Sequence, residues 1–174
     1  MKKLMIALTA VAMTACVQAG TVKWSTGTAV YVAGSPTDYA TGTLQLLAVA
    51  QGTEASTVWA TVKDGTYTSI KDVALLSTGK IAATTFDYTN GSYDFYSVLV
   101  DGDNFFISDA KGAAVGDVGT AGVAFSLKAT SQLSAKDAAD GYQGAGWYSS
   151  VPEPTSGLLL LLGMAGLALR RRRA

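Results

Sequence analysis

Across the middle of the chain, apolar and polar positions change places over short runs, the period-two texture of β-strands. No stretch sustains the spacing of a long amphipathic helix. Strands are predicted over residues 28–32, 43–50, 57–63, 80–88, 92–100, 105–108 and 122–128. Turn-forming residues separate them: Gly34-Ser35-Pro36, Asp64-Gly65, Ser77-Thr78-Gly79, Asn90-Gly91, Asp101-Gly102-Asp103-Asn104 and Lys111-Gly112. Asn90-Gly91 carries the strongest signal, because both residue types accept the positive φ of a type I′ turn. Phe86-Asp87-Tyr88 and Tyr93-Asp94-Phe95 flank it as hairpin arms. A second hairpin about residues 101–104 pairs 96–100 with 105–108 and completes a three-strand meander. Short helical pieces are expected at 69–76, or at 131–140 with Ser134 as cap. The fold class that follows is all-β, a small antiparallel β-sandwich or partly closed barrel. An N-terminal signal helix and a short C-terminal transmembrane helix flank it.

Composition narrows the chemistry. Only 15% of the residues are charged, against roughly 25% in ordinary soluble domains, and Gly is abundant at 19 residues. Formal net charge is zero, yet all four Arg are Arg170, Arg171, Arg172 and Arg173, and Lys2 and Lys3 sit at the other end. Residues 20–150 hold seven Lys against eleven Asp and Glu54, a net charge of −5. An acidic body without Arg argues against nucleic acid as a partner. The chain has no His, and its single Cys is Cys16. Zinc, Cys-nucleophile and Ser-His-Asp chemistries therefore lack their residues, whereas carboxylate chemistry and calcium binding survive.

Residues 1–19 have the order of a secretory signal peptide: Lys2-Lys3, an apolar run over 4–12 broken only by Thr9, then Val17-Gln18-Ala19. Signal peptidase cleavage is expected between Ala19 and Gly20. A second reading takes Met13-Thr14-Ala15-Cys16 as a lipoprotein box, with Cys16 acylated and N-terminal.

The other end reads Val151-Pro152-Glu153-Pro154, then an apolar run over 157–169, then Arg170, Arg171, Arg172 and Arg173. Two prolines near φ −65° favour an extended, non-helical handle. Thirteen residues make a helix of about 20 Å, short of the roughly 30 Å hydrocarbon core. Four Arg resist crossing and act as a stop-transfer signal on the cytoplasmic side. This tail resembles the PEP-CTERM sorting signal, with Val151, Pro152, Glu153 and Pro154 as signature. The resemblance implies processing by exosortase, a membrane protease, and a place in the envelope or extracellular polymer of a Gram-negative-type bacterium. It covers 151–174 and leaves the body open.

The expected organisation is thus a signal peptide at 1–19, a β-rich extracytoplasmic domain at 20–140, a Gly/aromatic tether at 141–150 and the sorting signal at 151–174. Within the body, Asp101, Asp103 and Asn104 begin a calcium loop that Phe105 and Phe106 fail to complete, so a turn is expected. Asp87 and Asp94 could form a carboxylate pair, and Asn90-Gly91-Ser92 matches a glycosylation sequon that the turn already explains. Tyr88, Tyr93, Phe95, Tyr96, Trp24, Trp59 and Trp147 serve a core or a sugar-stacking face. The function expected is an exported, non-enzymatic envelope or extracellular-matrix protein, membrane-held through its tail before processing, with no cofactor and no metal. The alternative is a carbohydrate-binding β-module that meets extracellular polysaccharide.

Overall fold

The computed structural model describes residues 19–117, 119–125 and 134–150. The signal segment before Ala19 and the tail after Ser150, with Val151 to Pro154 and the Arg cluster, lie outside the described residues. The elements are β1 (Ala19–Thr26), β2 (Thr43–Ala50), α1 (Ala55–Lys63), β3 (Lys71–Ala74), β4 (Thr84–Thr89), β5 (Gly91–Asp101) and β6 (Asn104–Ile107). There follow β7 (Lys111–Val115), β8 (Thr120–Phe125), β9 (Lys136–Asp137), a 3₁₀ turn Ala138–Asp140 and β10 (Gly146–Ser149).

The fold is all-β, made of two open sheets. A small one runs β4-β1-β8, and a seven-stranded one runs β3-β2-β5-β6-β10-β9 with β7 also on β5. No barrel closes among these strands. Most pairs are antiparallel, but β1 with β8 and β9 with β10 run parallel. Val22 and Trp24 of β1 meet Leu44, Leu46, Phe95, Phe106 and Trp147 of the large sheet in one apolar core. On the other face of the large sheet, α1 sets Val58, Trp59 and Val62 against Leu47, Tyr96, Phe105 and Tyr148. Covered on both sides, β5 is buried continuously from Phe95 to Leu99 instead of alternating.

Several expectations are corrected here. Residues 57–63 form part of α1 rather than a strand: Val58, Trp59 and Val62 gather on one helical face, and that burial outweighs the β-branched composition. Asp64-Gly65 ends this helix in a Schellman motif, with Thr66 N donating to Thr61 O, Gly65 N to Val62 O, and Gly65 at φ +64°. Asn90-Gly91 is not a hairpin turn. No non-Gly residue among those described has positive φ, and β4 pairs with β1 while β5 pairs with β2, β6 and β7. The chain bends there and passes from one sheet to the other. Its aromatics meet across the bend, Tyr88 to Tyr93 at 5.1 Å and Tyr88 to Phe95 at 6.5 Å, so the expected meander is replaced by β2-β5-β6.

The segment expected as a tether holds an interior strand, β10, whose apolar side chains lie in both cores. Lys111-Gly112 falls inside β7, not in a turn. The helical pieces also change: 71–74 is β3, and the 3₁₀ turn is capped by Asp137, not Ser134. Residues 28–32 contribute only an isolated bridge, Tyr31 to Tyr39. The β5–β6 hairpin stands as expected, Asp101 opposite Asn104 with Gly102 at φ +57° in its two-residue loop.

Candidate functional site: the end of the domain from which the tail departs

β10 sets the point where the sorting signal leaves the fold. It pairs with β6 from Gly146 opposite Ile107 to Ser149 opposite Asn104, and β9 covers its other edge. Trp147 is 2% exposed, donates from Nε1 to Tyr31 O at 2.9 Å and packs edge-on against Phe106. Tyr148 is fully buried, stacked on Phe105 at 5.3 Å and edge-on to Trp59 at 5.4 Å. Its hydroxyl donates to Gly144 O at 2.6 Å and accepts from Gln143 N at 2.8 Å. Burial raises the Tyr148 pKa, the Gln143 amide opposes that shift, and Tyr142 adds to it. Lys136 Nζ donates to the carbonyls of Gln143, Gly144 and Ala145 and lies over the Tyr148 ring. Burial lowers the Lys136 pKa, with Asp109 acting the other way.

One residue beyond the strand, both Ser150 N and Ser150 Oγ donate to Asp103 O, at 2.9 and 2.7 Å. The last described residue is thereby clasped to the tip of the β5–β6 hairpin. A groove of about 430 Å³ opens beside this clasp, lined by Gln45, Lys63, Tyr67, Val100, Asn104 and Ser150 among others. Val100 is 50% exposed, unusual for a large apolar side chain in this molecule. Lys63 Nζ lies over the Trp59 ring, and Tyr67 OH donates to Gln45 Oε1. Burial raises the Tyr67 pKa, with a smaller push from Asp72.

The remaining sequence candidates disperse. Asp101 and Asp103 are exposed on the hairpin, and Asp103 acts through its backbone carbonyl. No three His, Cys, Asp or Glu side chains gather as a metal-binding group among the described residues. Asp87 lies on β4 opposite Thr21, whereas Asp94 of β5 accepts from Gly52 N at 2.7 Å; the proposed carboxylate pair is split between two sheets. Asn90 Nδ2 donates to Asp117 Oδ1, so the sequon amide is engaged within the fold. Trp24, Trp59, Trp147, Phe95 and Tyr96 are core residues, and Tyr88 and Tyr93 are half-buried at the bend. Sequence reasoning missed Ser150, Lys136 and the pair Tyr31–Tyr39, whose rings lie 5.0 Å apart with Tyr39 43% exposed. The nearest signal for that pair was Gly34-Ser35-Pro36, which places a turn between the two rings.

Residues 150–173 match the PEP-CTERM protein-sorting motif. The tail is therefore a PEP-CTERM sorting signal, which marks an exported surface protein processed at the membrane by exosortase. The match begins at Ser150, the residue clasped to Asp103. No curated protein and no solved structure matches the chain. No helix among the described residues is long and apolar enough to cross a membrane; the run at 157–169 lies outside them.

Proposed function

We propose that this chain is a non-enzymatic surface protein whose β-rich body is displayed in the cell envelope or shed into extracellular polymer once its tail is processed. The observation that carries this reading is the sorting motif at 150–173 directly abutting a core strand. The body offers no His and no Cys for the commoner catalytic mechanisms. Before processing, signal peptidase would release the chain at Ala19–Gly20, and the run 157–169 with Arg170 to Arg173 would hold it in the inner membrane of a Gram-negative-type cell.

The test replaces Pro152, Glu153 and Pro154 together by Ala in a host that makes exosortase, followed by fractionation and gel mobility. The variant stays in the membrane at full length while the parent is shortened. Shortening of both would reduce 157–169 to a plain anchor. Mass spectrometry of the mature protein reads both termini and any acyl group on Cys16.

A second reading, a carbohydrate-binding module, is favoured by the exposed Tyr39 ring against half-buried Tyr31, beside Ser35 and Asp38. A glycan array with parent and Tyr39→Ala separates the two: a sugar bound by the parent and lost in the variant supports the module, and no bound sugar leaves the structural reading.

A further inference from the structure

Six residues, 151–156, separate Ser150 from the apolar run. Even fully extended they reach at most about 20 Å. If the run sits in the membrane, the clasped end of the domain must therefore lie close to the membrane surface, and so must whatever processes the tail. The same end carries the groove, with exposed Val100 on its wall and Lys63 as the only basic side chain lining it among the described residues. A lipid surface is a poor occupant. One Lys contributes only about 1 kcal/mol of attraction to anionic headgroups, and a body of net charge −5 is repelled by them. A concave site mixing an apolar wall, a cation and amide groups suits a protein surface better.

We infer that this groove is a contact surface for the extracytoplasmic face of exosortase, so that processing reads the folded end of the domain together with the Pro-Glu-Pro signature. The inference rests on the sorting reading above and adds a second point of recognition, beside which the Ser150–Asp103 clasp holds the residue where the sorting motif begins. A membrane protease that engages both gains from the short stretch between Ser150 and the signature, because the second contact forms at high effective concentration.

The experiment follows shortening of the full-length chain over time in a host that makes exosortase. Lys63→Glu with Val100→Glu alters two exposed positions and should slow processing about tenfold, with the urea midpoint of the domain unchanged. If loss of Lys63 from the Trp59 ring lowers that midpoint, Val100→Glu alone carries the same expectation. A Gly/Ser insert of about ten residues between Ser150 and Val151 lengthens the stretch between the two contacts and should slow the parent comparably. Groove substitutions added to the insert should slow it no further. Processing of the groove variants at the parental rate overturns the inference, as does an insert without effect or a combination slower than either change alone. The Pro152/Glu153/Pro154 triple Ala variant runs alongside: its shortening would sink the sorting reading itself, whereas parental processing of the groove variants sinks only the groove.

Discussion

β1 enters the fold between β4 and β8 by letting backbones touch, whereas β10 leaves it between β6 and β9 by burying aromatic rings. At the entry, a Cβ on Gly20 would lie 2.4 Å from Gly116 O and 2.9 Å from Asn90 Oδ1. At the exit, Trp147 and Tyr148 fill the two cores on either side of the large sheet. Both ends are interior strands of their sheets, and each adjoins a sorting element: the expected cleavage at Ala19–Gly20 falls on the first bond of β1, and the sorting motif follows β10 directly. The two edges tolerate change differently.

Truncating the exit is expected to cost most. Trp147→Ala removes a large buried ring and the bond to Tyr31 O, and such changes cost about 3–5 kcal/mol. Urea unfolding of the mature protein should show a midpoint lowered accordingly; a loss under about 1 kcal/mol would mean β10 is the loose tether after all. At the entry, Gly20→Val drives a side chain into a carbonyl that cannot swing away, at about 1–3 kcal/mol. Lys23→Thr, on the same strand but exposed, should be close to neutral. Equal effects at positions 20 and 23 would mean that the close backbone approach at Gly20 is not what the entry strand depends on. Lys136→Met comes next. It removes an ammonium shared by three carbonyls in a partly exposed setting, for about 1–2 kcal/mol.

The same contrast explains what was legible in the sequence. β2 was read to the residue, β5 and β6 to within one, because apolar residues bounded by turns leave few options there. The sorting tail was legible because its signature, apolar run and Arg cluster are contiguous. Features that depend on distant partners were not. The run Thr57-Val58-Trp59-Ala60-Thr61-Val62 is β-branched enough to pass for a strand until Phe105 and Tyr148 supply a surface for one helical face. Asn90-Gly91 carries a hairpin signal, but β1 captures β4, and Gly91 lets the Tyr93 ring fold back to where a Cβ would lie 2.9 Å from it. Gly141 and Gly144 suggested a tether, whereas their φ of +81° and +88° serve the tight loop whose carbonyls meet Lys136. In β1, Val22 and Trp24 alternate inward with polar neighbours, a readable pattern that the adjoining leader obscured.

The smallest expected effect falls at the seam itself. Ser150 is exposed, and its two bonds reach one carbonyl at the hairpin tip, so Ser150→Ala should cost no more than about 0.5 kcal/mol. Ser150→Pro removes the amide donor as well as the hydroxyl, and the difference between Pro and Ala isolates the backbone bond. If the fold ends where the sorting motif begins, neither change moves the urea midpoint by much, yet both loosen the clasp that holds Ser150 beside the groove. Processing would then slow in the order parent, Ala, Pro while stability stays nearly level. A stability loss from Ser150→Pro as large as that from Trp147→Ala would place the seam further along the chain, beyond Ser150. Processing that ignores both substitutions would mean that the clasp to Asp103 holds the end of a strand and nothing more.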